Sequence, residues 1–120
     1  FVRVGKLCMI GGLSKIVKDV PPFLTADGHP GEIYGLNKVG MRRAGYDGPA
    51  RAAVKNCYER LFRGDLPFRQ ALSALASSDE GRGGAAREII DFCSGSSRGV
   101  TLWHSRRMRG EGDDDQAPGP

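Results

Sequence analysis

The chain has 120 residues, 39% of them hydrophobic, with three cysteines and a formal net charge of +4. That length holds one domain or a portion of one, and that apolar share builds only a small core. No apolar run approaches the roughly 20 residues of a membrane-spanning helix, no signal peptide is visible, and Lys and Arg never gather into a nucleic-acid-binding arm.

Cys8, Cys57 and Cys93 are odd in number, widely spaced and without a CxxC pair. The pattern argues against a disulfide framework and against a zinc site, and it fits a reducing cytoplasm. Eighteen glycines are more than twice what an average share of about 7% would give. They gather near the front, in the middle and towards the end, marking coils and tight loops around a modest helical core.

Residues 1–20 carry a six-residue rhythm: Val4-Gly5, Ile10-Gly11, Ile16-Val17. A period of six fits neither a helix at 3.6 nor strand alternation at 2, and it is a signature of β-helix coils. The branched residue fills the narrow interior of the coil and glycine eases the corner. Three hexads make about one turn, and one turn buries its apolar face only against neighbours. Further coils or another chain should cover it. Because the pattern is already under way at Phe1, the sequence reads as a portion of a longer protein.

Pro21-Pro22 ends the rhythm by removing two backbone donors. Phe23-Leu24 can then cap the open end of the coil, and the rest of 21–32 reads as a linking loop with turns at Asp27-Gly28 and Pro30-Gly31. A helical region is predicted over 33–104. Its first helix spans 33–44, with Leu36, Val39 and Gly40 on one side and Gly45 as the stop. Asp47 is the N-cap of a second helix running to about Arg63, with Pro49 in its first turn. Ala50, Ala53, Val54, Cys57, Tyr58, Leu61 and Phe62 hold its i, i+3, i+4, i+7, i+8 stripe. Asp65 and Pro67 open a third helix with Phe68, Ala71, Leu72 and Leu75 inward. A fourth, over 85–93, buries Ala86, Ile89, Ile90 and Cys93. Charge, Gly and Pro dominate 105–120, including Asp113-Asp114-Asp115, and that stretch reads as a disordered tail.

The chemistry is that of binding. There is no HExxH, Walker loop or dinucleotide glycine fingerprint, and the two histidines do not fit a Ser-His-Asp order. His29 sits in a Gly-Pro loop and His104 beside Trp103, both positions where a histidine is usually a solvated or structural residue. Asn37, Lys38, Arg42 and Arg43 recur at helical spacing, so several can share a face and meet a phosphate or an amide-bearing base. A solvated basic helix face is the plain alternative. Arg51, Lys55, Arg60 and Arg63 add positive surface that could meet an acidic carrier protein.

The order Asp19-Val20-Pro21-Pro22-Phe23, Gly28-His29-Pro30, then Gly35 through Tyr46, closing at Ser96-Ser97-Arg98-Gly99-Val100, strongly resembles the acyl-carrier-protein-dependent UDP-N-acetylglucosamine O-acyltransferases of lipid A biosynthesis. The resemblance covers about residues 1–100. It implies a mixed fold, the end of a left-handed parallel β-helix of hexapeptide repeats followed by a mainly α-helical C-terminal domain, in a cytoplasmic homotrimer. The implied reaction moves a 3-hydroxyacyl group from acyl carrier protein to the 3-hydroxyl of UDP-N-acetylglucosamine, with no cofactor. Asn37 and Arg43 match nucleotide-sugar contacts, and Met9 and Gly12 match positions lining the acyl channel. Val39 and Ala44 depart from an acidic residue and a second arginine in some members. The family's general-base histidine belongs to an earlier coil, so no catalytic residue is assigned and the 120 residues alone should be inactive. A non-catalytic binding or assembly module is the alternative, and acyl transfer to another nucleotide sugar is a third reading.

Overall fold

Residue Val20 meets the hexad region at Val4, and the contact defines how the chain coils. In the computed structural model, which describes residues 2–104, Val4 bridges Val20 in parallel, and strand β1 (Met9–Ile10) pairs in parallel with β2 (Leu24–Asp27) through Met9 with Thr25 and Ile10 with Ala26. Each of these pairs lies sixteen residues apart along the chain, two short of three full hexads. Rungs without strand geometry are stitched by single backbone bonds: Val20 N–H donates to Arg3 O, Phe23 N–H to Lys6 O and Gly11 N–H to Ala26 O, each at 2.9 Å.

The segment read as a linking loop therefore carries strand structure, and the first helix starts later than the sequence predicts. β3 spans Glu32–Leu36 and runs antiparallel to β2, with a register shift between Thr25 and Ala26. The short apolar run Ile33-Tyr34-Gly35-Leu36 fits either a helix or a strand. It becomes a strand because its backbone groups find partners on both sides. One side is β2. The other is the returning chain, where Ile33 N–H donates to Leu102 O at 2.9 Å and His104 N–H to Ile33 O at 2.8 Å. Residues 99–104 thus lie as a further parallel rung, bridging Asp19 at Val100 and Ile33 at Trp103.

Four helices pack beside this coil: α1 (Lys38–Arg43), α2 (Gly48–Phe62), α3 (Phe68–Ala76) and α4 (Gly84–Ser94), with a 3₁₀ turn over Asp79–Arg82. Asp47 caps α2 as its sequence position predicts, its carboxylate accepting from Ala50 N–H at 2.9 Å. Of the predicted stripe of α2, Val54, Cys57, Tyr58 and Leu61 are buried, Ala50 and Phe62 are half-buried and Ala53 is exposed, while α4 buries Ala86, Ile89, Ile90 and Cys93. On α1 the buried residue is Met41, whereas Val39 is exposed. Of the side expected to line the core, Leu36 belongs to β3, and α1 packs inward through Met41 instead of Val39.

Coil and helices share one core. Phe23, Leu24, Ala26 and Ile33 from the coil side are fully buried with Met41, Val54, Leu75 and Ile89 from the helices. Phe23 is held at φ 71°, a left-handed conformation that costs a non-glycine residue about 1–2 kcal/mol. The neighbourhood fixes it from both backbone ends, since its N–H donates to Lys6 O and its carbonyl accepts from Asn37 N–H at 2.8 Å. Its ring meets Tyr46 edge-on at 5.4 Å. Tyr58, fully enclosed, donates its hydroxyl to Pro22 O at 2.7 Å, so the helical core is also tied to the proline pair. The tail reading, residues 105–120, lies outside the described residues.

Candidate nucleotide-binding joint

Asn37 stands where strand, coil and helix meet. Its Oδ1 accepts from Gly40 N–H at 3.1 Å, capping α1, and its Nδ2 donates to Leu7 O at 2.9 Å on the coil. The residue is 7% exposed. A capping asparagine satisfies one of the free N–H groups at a helix start, and here the same side chain also locks the helix onto the coil. One Nδ2 hydrogen and one Oδ1 lone pair remain for another partner. The sequence pointed to Asn37 but not to this capping role, because the helix was expected to begin at Ile33, five residues before its observed start at Lys38.

Arg43 closes α1 and is exposed. Arg42 and Arg43 occupy the last turn, where the helix dipole favours cations. At 1.5 Å per residue, α1 separates Asn37 from Arg43 by about 9 Å. Gly45 follows at φ 94°, a turn geometry that favours glycine.

Met9 and Gly12 lie on the outer side of the coil. Met9 is 37% exposed and belongs to β1, two residues beyond the Leu7 carbonyl that Asn37 holds. A Cβ built on Gly12 meets nothing within 4 Å, whereas one on Gly11 would run into the Asp27 carboxylate. Gly12 therefore opens onto space and Gly11 does not.

A second cluster had no signal in the sequence beyond the Ser-Arg-Gly motif itself. Asp19 is 2% exposed and sits among Arg3, Ser96 and Arg98. Its Oδ2 accepts the Ser96 hydroxyl at 2.7 Å and its Oδ1 accepts Arg3 N–H at 2.8 Å, with the Arg3 and Arg98 guanidinium groups at 3.7 and 3.9 Å. Burial pushes the carboxyl pKa up. The Arg3 amide, the Ser96 hydroxyl and the two guanidinium groups overcome that effect and hold it below the usual range. Seventy-seven residues separate Asp19 from Ser96, so no local pattern announces the pair.

The histidines stand apart from this geometry. His29 is exposed, and His104 pairs its Nδ1 with Glu32 Oε1 at 2.7 Å while stacking on Tyr34 at 4.5 Å. Among the described residues no group of His, Cys, Asp and Glu could hold a metal ion, and no helix is long and apolar enough to cross a membrane.

This coil, joint and helix arrangement is that of a known group of transferases. The chain belongs to the UDP-N-acetylglucosamine O-acyltransferase family, whose domain 2 model matches residues 19–101. An acyl-[acyl-carrier-protein]–UDP-N-acetylglucosamine O-acyltransferase of Burkholderia mallei is 37% identical over 103 residues, covering 83% of this chain and 39% of the relative. The enzyme of that name from Synechocystis is 40% identical over 78 residues, or 65% of this chain and 28% of the relative. A crystal structure of a UDP-N-acetylglucosamine acyltransferase superposes with a TM-score of 0.79 at 35% identity, covering 87% of this chain and 39% of that one. The Acinetobacter baumannii protein follows with a TM-score of 0.75 at 33% identity, covering 84% and 39%. The chain thus spans about two fifths of the length of the relatives it matches.

Proposed function

We propose that the chain is the C-terminal portion of an enzyme that moves a 3-hydroxyacyl group from acyl carrier protein to the 3-hydroxyl of UDP-N-acetylglucosamine, the first step of lipid A biosynthesis. The observation that carries this reading is the family match over 19–101 laid onto a joint in which one asparagine links coil and helix. The parallel rungs around Val4–Val20 and Met9–Thr25 serve as the last turn of a left-handed β-helix. The helices between Lys38 and Ser94 act as its C-terminal helical domain. The working assembly is a cytoplasmic homotrimer, in which a neighbouring coil covers the exposed apolar residues Met9, Leu13 and Val17.

Within that reading, Asn37 and Arg43 bind the nucleotide sugar. Asn37 offers its remaining amide hydrogen and lone pair to a base or sugar, and Arg43 offers a planar fork that matches phosphate oxygens. Met9 and Gly12 line the acyl channel, where the open space at Gly12 admits a longer chain. No cofactor takes part.

The test is an acyl-transfer assay on the protein expressed from its complete gene, with 3-hydroxyacyl carrier protein and UDP-N-acetylglucosamine. Transfer by the native protein and a KM for the nucleotide sugar raised about tenfold by Arg43→Gln, the loss of one charged contact of about 1.4 kcal/mol, support the reading. Absence of transfer overturns the function. An unchanged KM overturns the role of Arg43 alone.

A further inference from the structure

Gly40 lies inside α1, although glycine is the poorest helix former after proline. The reason stands beside its Cα. A Cβ built there would overlap Asn37 Nδ2 and lie 2.9 Å from Cγ and 3.2 Å from Oδ1, so its three nearest neighbours all belong to one amide. The Asn37 amide occupies the place that a side chain at 40 would take.

A side-chain tip can usually step away from a new methyl group, but this one is held at both ends. Oδ1 accepts from Gly40 N–H at 3.1 Å, and Nδ2 donates to Leu7 O at 2.9 Å. The Leu7 end is itself fixed. Leu7 has φ 55° and Phe23 φ 71°, left-handed conformations at equivalent places in two stacked rungs, since Val4 pairs with Val20 at the same spacing. Such conformations persist in non-glycine residues only where the surroundings over-determine them. Asn37 is bonded to both, through its side chain to the Leu7 carbonyl and through its N–H to the Phe23 carbonyl at 2.8 Å. To admit a methyl group at 40, the amide would have to give up the helix cap, the Leu7 carbonyl or both.

We propose that Gly40 is a positioning residue for nucleotide-sugar binding. Its bare Cα lets the Asn37 amide lie across the first turn of α1 in one orientation, which directs the remaining hydrogen and lone pair towards the ligand. This rests on the reading of Asn37 as a nucleotide-sugar contact. Gly40 acts through Asn37 and touches no ligand. Helix propensity alone points the other way, because alanine at 40 suits a helix better than glycine.

The experiment is a double-mutant cycle on the protein expressed from its complete gene, with 3-hydroxyacyl carrier protein and UDP-N-acetylglucosamine as substrates. Gly40→Ala is expected to raise the KM for the nucleotide sugar about tenfold while leaving kcat and the KM for the acyl donor near their native values. In an Asn37→Ala background the amide is gone, so the same substitution should raise that KM no further. If Gly40→Ala lowers the melting temperature, adding Asn37→Ala should restore it to that of Asn37→Ala alone. Gly48→Ala, at the exposed start of α2 where a Cβ meets nothing within 4 Å, should keep the native KM. An unchanged KM in Gly40→Ala overturns the proposal alone. So does an additive rise in the double variant, which would place the effect in α1 itself. A KM unmoved by Asn37→Ala removes Asn37 from the site and Gly40 with it, and absence of transfer by the native protein overturns the function together with the proposal.

Discussion

The hydroxyl of Ser96 donates to the buried carboxylate of Asp19 at 2.7 Å, joining the end of the coil to the loop that follows the last helix. The same serine oxygen accepts from Gly99 N–H at 3.1 Å, and Asp19 exchanges backbone bonds with Gly99 and Thr101. One aspartate thereby fixes the place where the chain returns from α4 to lie along the coil. Arg3 extends the clasp, bonding Phe92 O at 2.9 Å and resting over the Phe92 ring at 4.3 Å.

Replacing Asp19 by Asn should destabilise the protein by about 2–3 kcal/mol at neutral pH, since hydrogen bonds to a charged acceptor contribute about 1.5–3 kcal/mol. The pH dependence has a definite sign. Folding holds this carboxyl below the range of an unfolded aspartate, near 3.9, so its contribution is present above that value and disappears as pH falls through the folded pKa. Urea unfolding at a series of pH values should show a flatter acid limb for Asp19→Asn than for the native chain. An acid limb of unchanged slope would remove Asp19 as its source.

Tyr58→Phe isolates a single buried bond. The ring stays and the Pro22 carbonyl loses its 2.7 Å donor, which should cost about 1–2 kcal/mol. Burial raises the Tyr58 hydroxyl well above its ordinary value. Because the folded state holds this proton more tightly than the unfolded chain, stability should fall as pH rises past about 10. In Tyr58→Phe that alkaline decline should be reduced, as read by thermal unfolding between pH 9 and 11.

What the sequence made legible follows the range of the interactions. The second and fourth helices were readable because Asp47, Pro49 and the Val54–Leu61 stripe act within a few residues of one another, and so do Ala86, Ile89, Ile90 and Cys93. The hexad rhythm announced a coil, but not its pairing: Val4, Met9 and Ile10 meet Val20, Thr25 and Ala26, and the last two lie in the segment read as a loop. β3 was misread as the start of α1 because its partners come from residues 24–27 and 102–104, and a short apolar run does not reveal them. The Asp19–Ser96 clasp escaped for the same reason. Asn37 drew attention by its company of basic residues, while its cap was hidden by the misplaced helix start.

The thiols should be quiet in the native protein. Burial pushes Cys57 up to about 11 and Cys93 to about 12, and it raises Cys8, whose Sγ lies 2.9 Å from Pro21 O. Since the thiolate is the reactive form, a disulfide reagent at pH 8 should label the native chain slowly and all three cysteines quickly in guanidinium chloride. Fast labelling of Cys57 or Cys93 without denaturant would mean that α2 and α4 open locally.

Two glycines of the coil should respond oppositely to a side chain. At Gly5 a Cβ would lie 2.5 Å from Pro22 N, a backbone atom that cannot step aside, so Gly5→Ala should destabilise by about 1–3 kcal/mol. At Gly12 the space is open, so Gly12→Met should leave the melting temperature of the isolated chain unchanged. If Gly12 lines the acyl channel as proposed, the same variant of the complete enzyme should prefer a shorter acyl donor. An unaltered chain-length preference would exclude Gly12 from the channel.

Asn37 allows structure and ligand binding to be separated. Its Oδ1 caps α1 and its Nδ2 holds Leu7 O, so Asn37→Ala removes both bonds and should cost about 1–2 kcal/mol. Asn37→Asp keeps an oxygen for Gly40 N–H but sets a carboxylate against the Leu7 carbonyl, losing the amide donor. Asn37→Ser can keep the cap while giving up the reach to Leu7. If the residue only joins coil to helix, nucleotide-sugar affinity should follow folding stability across the three variants. If it also touches the ligand, affinity should fall in Asn37→Ser by more than stability does. Isothermal titration with UDP-N-acetylglucosamine, set beside urea unfolding of the same samples, distinguishes the two, and parallel losses in both measurements would confine Asn37 to its structural role.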